Sequence, residues 1–142
     1  MKKNLKKWVL LLMTAIALPV SSMAQDKVEF GVGADVVSKY IWRGTDLGGP
    51  SVQPSLSVAY KGLSLTAWGS IGFDSEDDKE VDLTLAYETG NFSLSVTDYW
   101  YPEYSGAHTF EAQIGYDFGL LAANWYTNFA GDDEEYASYI SL

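Results

Sequence analysis

The chain has 142 residues, 9 Lys and Arg against 19 Asp and Glu, and no cysteine. Its formal net charge of −10 argues against nucleic acid as a partner, because few cations are available to neutralise phosphates. The lack of cysteine excludes disulfides and thiolate metal sites, and the length fits one domain.

The first 24 residues have the layout of a secretory signal peptide. Lysines precede an apolar run over residues 8–20, and Ser22 and Ala24 supply the small residues that signal peptidase requires. A transmembrane anchor is the alternative, but these 13 residues are fewer than the roughly 20 that span a bilayer as a helix. The sequence therefore predicts export and a mature chain over residues 25–142, with 5 Lys and Arg against 19 Asp and Glu and a formal charge of −14.

From residue 28 onward, apolar and polar residues alternate with a period of two, which is typical of β-strands with two unlike faces. In the first segment Phe30 and Tyr40 fall on the apolar positions, whereas Asp35 and Arg43 fall on the polar ones. The pattern predicts an all-β fold with about eight strands and no helix. The predicted strands cover residues 28–43, 52–60, 63–73, 80–88, 92–101, 108–117, 121–130 and 136–142.

The connections alternate between tight glycine turns and longer polar loops. The turns lie at residues 61–62, 89–91 and 117–119, and the loops at 44–51, 74–79, 102–106 and 131–135. Short turns at one end and longer loops at the other are typical of an outer-membrane barrel, with the turns in the periplasm. Tyr60, Tyr87 and Tyr116 each precede such a turn, which indicates a repeating hairpin. We therefore expect an up-and-down antiparallel transmembrane β-barrel.

The placement of aromatic residues favours a barrel over a soluble sandwich, although both have one apolar face per strand. A membrane-spanning barrel carries two aromatic girdles on its outer face. The sequence predicts one girdle near the turns and one near the loops, with mainly Val, Leu, Ile and Ala between them. The first consists of Phe30, Tyr60, Tyr87, Phe92 and Tyr116, and the second of Tyr40, Trp42, Phe73, Trp100 and Phe129. Asp98 and His108 are polar exceptions on the apolar face, and Trp68 is an aromatic exception on the polar face.

Several short motifs resemble the TorF-like porin family of Gram-negative bacteria. Ser38-Lys39-Tyr40-Ile41-Trp42-Arg43-Gly44 matches its Ser-x-Tyr-x-(Trp/Phe)-Arg-Gly motif, and Gln53-Pro54 and Trp68-Gly69-Ser70 follow in the family's order. The segments 82–87 and 97–100 are also similar to the family. The resemblance implies an outer-membrane barrel with a channel role.

An outer-membrane location implies lipid and lipopolysaccharide as partners, and the sequence leaves homo-oligomerisation open. Members of the family are usually longer than this chain. The last predicted strand has seven residues, fewer than the roughly 9–11 that cross a bilayer. We therefore expect a C-terminally incomplete part of a larger barrel.

The polar positions carry the candidate lumen charges, which are Asp35, Lys39, Arg43, Asp82 and Glu111. The two cations opposite three carboxylates could set a transverse field that selects permeants. Alternatively, they form salt bridges that hold the shape of the barrel, which is the interpretation that we favour.

The sequence predicts no catalytic, cofactor-binding or metal-binding set. The single histidine, His108, has the opposite parity from Glu111, and the acidic loops lack the spacing of an EF-hand. The predicted function is a passive channel for small solutes. The alternatives are a non-conducting barrel with a structural or surface-interaction role, and a soluble β-sandwich binding module.

Overall fold

The computed structural model describes residues 27–74, 77, 79–103, 106–132 and 137–142. The predicted signal peptide and parts of three predicted loops lie outside these ranges. The described residues form ten β-strands and no helix. The strands are β1 (Glu29–Val37), β2 (Tyr40–Trp42), β3 (Thr45–Gly48), β4 (Ser51–Tyr60), β5 (Leu63–Gly72), β6 (Lys79–Thr89), β7 (Phe92–Tyr101), β8 (Ala107–Asp117), β9 (Ala122–Gly131) and β10 (Ser138–Ser141). Accordingly, this part of the chain offers no helix long and apolar enough to cross a membrane.

Eight strands form one antiparallel sheet in the order β1-β4-β5-β6-β7-β8-β9-β10. The prediction of an all-β fold with eight antiparallel strands is confirmed. Strands β2 and β3 form a separate hairpin, the β2–β3 hairpin, which is inserted between the first two strands of the sheet. Within the described ranges the sheet is open, because β1 and β10 each pair on one side only.

Two Xaa-Gly pairs form tight turns. Lys61 and Gly62 have φ values of 50° and 84° between β4 and β5, and Arg43 and Gly44 have values of 48° and 82° between β2 and β3. Two-residue hairpin loops with positive φ at both positions are of type I′, which matches the twist of the flanking strands. The predicted turn at residues 61–62 is confirmed. The prediction of one strand over residues 28–43 followed by a loop is wrong, because β1 ends at Val37 and a hairpin follows it.

The two faces of the sheet differ in chemistry and in exposure. On the apolar face Val32 is 85% exposed and Leu85 is 51% exposed. No hydrophobic side chain is buried in the described residues, and the buried polar residues are Ser51, Ser70, Glu80 and Glu111. A soluble globular protein shows the reverse, with apolar residues inside and charged ones outside.

Eight of the ten predicted girdle residues lie on the apolar face of the sheet, seven by their parity and Phe129 by its ring contact with Phe110 at a β-bulge. They are Phe30, Tyr60, Phe73, Tyr87, Phe92, Trp100, Tyr116 and Phe129. Near the tight turns Phe92 pairs with Tyr116 across β7 and β8. Near the loops Trp100 pairs with His108, and the ring of Phe129 lies 6.3 Å from that of Phe110. The aromatic side chains of this face therefore concentrate toward its two ends.

The other two predicted girdle residues, Tyr40 and Trp42, contact the polar face instead. The ring of Tyr40 lies 5.6 Å from that of Trp68, and the ring of Trp42 lies 5.9 Å from that of Tyr99. The prediction failed because the backbone bends at residues 38–39, so that the alternation counted along β1 does not continue into β2. The contact with Tyr40 also accounts for the aromatic residue Trp68 on the polar face.

Candidate functional site

The β2–β3 hairpin lies across the polar face and contacts six strands of the sheet. Three hairpin residues, Tyr40, Trp42 and Arg43, make these contacts. Their partners are Trp68 of β5, Glu80 of β6, Tyr99 of β7, Glu111 of β8, Tyr126 of β9 and Tyr139 of β10. One short hairpin reaches all six because the sheet curls around it, and the polar face is therefore concave.

Arg43 and Glu111 form the central ion pair of this face. Nη1 and Nη2 of Arg43 donate hydrogen bonds of 2.6 Å and 2.9 Å to the two carboxylate oxygens of Glu111. The hydroxyl of Tyr99 donates a third, of 3.0 Å, to Oε1 of Glu111. Although burial lowers it, the hydrogen bonds and the charge of Glu111 raise the pKa of Arg43 overall. The pair is therefore a bidentate, charge-assisted contact of the kind that fixes orientation.

The guanidinium of Arg43 also lies against three aromatic rings. Its Cζ atom is 4.3 Å from the ring centroid of Trp42, 4.3 Å from that of Tyr126 and 4.6 Å from that of Tyr139. A planar cation over aromatic faces gains cation–π attraction, which is larger where water is excluded. Arg43 is thus held both by a carboxylate and by the π faces of its neighbours.

The backbone at Arg43 is in an unusual conformation. Its φ of 48° lies in the left-handed region, which side chains other than glycine, asparagine and aspartate seldom adopt. The type I′ turn of the hairpin requires this conformation at Arg43, as the turn between β4 and β5 requires it at Lys61.

A second buried carboxylate, Glu80, lies under the same hairpin. The hydroxyl of Tyr40 donates a hydrogen bond of 2.8 Å to Oε2 of Glu80, and the hydroxyl of Tyr101 donates one of 3.0 Å to Oε1. Burial, followed by the charge of Glu80, raises the pKa of Tyr40, so that its hydroxyl remains a neutral donor. Asp82 has the same parity on β6, and its Oδ1 atom is buried without a hydrogen-bond partner.

Between the hairpin and the tight turns, the polar face carries mainly small, uncharged groups. The side-chain amide of Gln113 donates to Ser93 at 3.1 Å and to Asn124 at 2.9 Å. The hydroxyls of Thr84 and Thr97 lie 2.9 Å apart across β6 and β7. The aromatic residues of the polar face and its buried carboxylates, Glu80 and Glu111, therefore concentrate under the hairpin.

The five predicted lumen charges have different surroundings. Arg43 and Glu111 form the central pair, and Asp82 lies beside Glu80 on β6. Asp35 is exposed on the edge strand β1. Lys39 forms an ion pair of 2.5 Å with Asp46, and both side chains are about half exposed. Lys39 and Arg43 therefore pair with different carboxylates, Asp46 within the hairpin and Glu111 in the sheet.

The cluster under the hairpin consists of the residues that contact the hairpin or hydrogen-bond to those contacts. Five of its members are absent from the residues proposed from the sequence, namely Glu80, Tyr99, Tyr101, Tyr126 and Tyr139. The sequence does contain a signal for them, because all five fall on polar positions of their strands. A tyrosine at such a position is not expected to face lipid. Glu80, Tyr99 and Tyr101 also lie near the loop ends of their strands, which is the second half of that signal.

The two polar exceptions on the apolar face, Asp98 and His108, contact each other. Nδ1 of His108 lies 2.8 Å from Oδ1 of Asp98. The imidazole is stacked between Trp100 and Phe110, at centroid distances of 5.9 Å and 6.2 Å. This arrangement keeps His108 on the face opposite to Glu111, and it compensates two polar groups on an otherwise apolar surface.

In the ranges that the structure describes, no group of three or more His, Cys, Asp or Glu side chains is arranged to hold a metal ion. Comparison with protein-family models, with curated proteins and with solved structures finds no match for this chain. A function is therefore inferred from the chemistry of the two faces and of the cluster under the hairpin.

Proposed function

We propose that this chain is an exported outer-membrane β-barrel, or part of one, that acts as a passive channel for small solutes and belongs to the TorF-like porins that its motifs resemble. The observation that carries the proposal is the inverted burial of the sheet. Its apolar side chains are exposed and its buried charged side chains, Glu80 and Glu111, lie on the polar face.

Lipid is the environment that suits such an apolar face. A soluble protein seldom exposes a contiguous apolar surface beyond a few hundred Å². A β-sandwich would bury this surface against a second sheet, and the only other sheet in the described residues is the β2–β3 hairpin on the opposite face. Facing hydrocarbon tails, the same side chains need no protein cover, and every strand hydrogen bond can be satisfied within a closed barrel.

The spacing of the aromatic residues supports insertion. Phe92 and Trp100 are eight residues apart on β7, which corresponds to about 26 Å along a strand at about 3.3 Å per residue. At a tilt of about 40° this is about 20 Å of height, somewhat below the apolar band of about 25 Å in known barrels. The separation of the two aromatic ends is therefore of the same order as the apolar band of known outer-membrane barrels.

The concave polar face is then the wall of the lumen, and the β2–β3 hairpin narrows it. The same observation favours a second candidate, a non-conducting barrel, because a hairpin that contacts six strands could fill a small lumen. A barrel of about eight strands is filled by its own side chains, whereas additional strands would leave an open path. The two candidates therefore differ in conductance and share the same insertion into lipid.

A matched pair of substitutions on β4 tests insertion. Leu56 lies mid-strand on the apolar face, and Ser57 is its neighbour on the polar face. In lipid vesicles we expect Leu56→Arg to lower the free energy of unfolding by about 2–4 kcal/mol, because a charge at the bilayer midplane is costly. Ser57→Arg should cost much less. Equal effects, or a wild-type band that does not shift on heating in a denaturing gel, would contradict the membrane barrel.

Planar-bilayer recordings on the full-length protein separate the two candidates. The channel predicts discrete conductance steps, and replacing residues 40–48 by a short glycine linker should enlarge them, since the hairpin narrows the lumen. If neither protein shows conductance steps, the result would favour the non-conducting candidate and would not contradict the barrel.

A further inference from the structure

We propose that Glu111, Tyr99, Tyr126 and Tyr139 form a guanidinium-binding cage, that Arg43 is its built-in occupant, and that a solute bearing a guanidinium group displaces Arg43 and releases the β2–β3 hairpin. The proposal rests on the proposed function in one respect, that the cage faces a lumen which solutes can enter.

The cage has the geometry of a guanidinium site. Glu111 is only 4% exposed, and the two oxygens of its carboxylate accept two N–H groups at 2.6 Å and 2.9 Å. The rings of Tyr126 and Tyr139 lie within 4.6 Å of the central carbon of the cation. A planar guanidinium can donate to both carboxylate oxygens and lie against both tyrosine rings at once. A tetrahedral ammonium can make only some of these contacts.

The occupant belongs to a different element from the cage. The four cage residues lie on β7, β8, β9 and β10, while Arg43 enters from the turn of the β2–β3 hairpin. Its side chain keeps 19% of its surface exposed, so the site communicates with the space above the polar face.

Displacement is a competition between a tethered ligand and a free one. A tether of this length gives Arg43 an effective concentration on the order of millimolar. Solutes at millimolar concentration should therefore exchange with Arg43, and tighter binding should appear once Arg43 is removed.

The test uses purified full-length protein in detergent, with methylguanidinium as the probe and NMR chemical-shift titration as the measurement. We expect Arg43→Ala to bind methylguanidinium at least about tenfold more tightly than the wild type, because its cage is empty. The double variant Arg43→Ala/Glu111→Gln should lose this binding, and methylammonium should bind Arg43→Ala weakly. Lys39→Ala is the matched control, since it removes a hairpin cation that pairs with Asp46 outside the cage; it should bind like the wild type.

Hairpin release is measured on the protein that retains Arg43, which keeps the test valid if Arg43→Ala does not fold. The chain has no cysteine, so a spin label at Asp46→Cys reports on the hairpin alone. Methylguanidinium should raise the mobility of the label, and K⁺ at the same concentration should not. Equal affinity of wild type and Arg43→Ala, or a label that stays immobile in saturating methylguanidinium, would overturn the proposal. Neither readout depends on conductance, so a silent bilayer recording would count against the channel and not against the cage.

Discussion

Glu80 and Glu111 are two buried carboxylates on one face that are compensated in different ways. Both are nearly inaccessible, both accept a hydrogen bond from a tyrosine of β7, and both are reached by the β2–β3 hairpin. Glu111 is neutralised by the guanidinium of Arg43. Glu80 accepts from two phenols, Tyr40 and Tyr101, and none of the described ion pairs includes it.

The two carboxylates therefore have different roles: Glu111 anchors the hairpin, and Glu80 contributes negative charge to the polar face. A buried ion requires either an opposite charge or several good hydrogen bonds. At Glu111 the opposite charge comes from the hairpin, so that the pair fixes the hairpin to the sheet. At Glu80, next to Asp82, the negative charge is not cancelled, and this end of the proposed lumen should attract cations.

The largest effect is expected when the cation of the Glu111 site is removed. Arg43→Met keeps much of the packing against the aromatic rings but leaves a buried carboxylate without its partner. We expect the free energy of unfolding to fall by about 3–5 kcal/mol, as is usual when one member of a buried pair is lost. Urea titration followed by tryptophan fluorescence measures it. The double variant Arg43→Met/Glu111→Leu should recover much of the loss, and a single variant as stable as the wild type would contradict the anchoring role.

The same substitution at each carboxylate compares the two sites directly. Glu111→Gln leaves the guanidinium of Arg43 without a counter-charge. In Glu80→Gln one phenol can still donate to the amide oxygen, and the oxygen of the other phenol can accept from the amide NH2 group. We expect a loss of about 3 kcal/mol for the first and about 1 kcal/mol for the second, in the same urea titration. Equal losses would mean that Glu80 has a cationic partner after all.

Removing one hydroxyl at the Glu80 site should have an intermediate effect. Tyr101→Phe deletes a hydrogen bond to a carboxylate while keeping the ring, and such bonds contribute about 1.5–3 kcal/mol. We place the expected loss near the lower limit, because the hydroxyl of Tyr40 remains a donor. Thermal unfolding in detergent measures the change. A variant that unfolds at the wild-type temperature would show that the Tyr101 hydrogen bond contributes little.

The smallest effect is expected at the second cation of the hairpin. Lys39 and Asp46 are about half exposed, so Lys39→Ala should change the free energy of unfolding by less than about 1 kcal/mol. The same denaturation experiment provides the measurement. A loss as large as that of Arg43→Met would mean that the two cations act as one group, as the alternation of the sequence alone suggests.

Local patterns in the sequence were sufficient for the main sheet. The period of two gives the face of each side chain wherever a strand is continuous, and glycine marks the turn at Lys61-Gly62 because positive φ costs glycine little. The eight strands and their antiparallel order therefore follow from residues close together in the chain.

Only the tertiary structure decided how the β2–β3 hairpin lies and which charges meet. The alternation predicted Tyr40 and Trp42 for the apolar face, and the bend at residues 38–39 reversed this assignment. The partner of Arg43 is Glu111, 68 positions along the chain, and the choice depends on the curl of six strands. Parity is a property of one strand, whereas pairing across a concave face depends on the positions of all the strands at once.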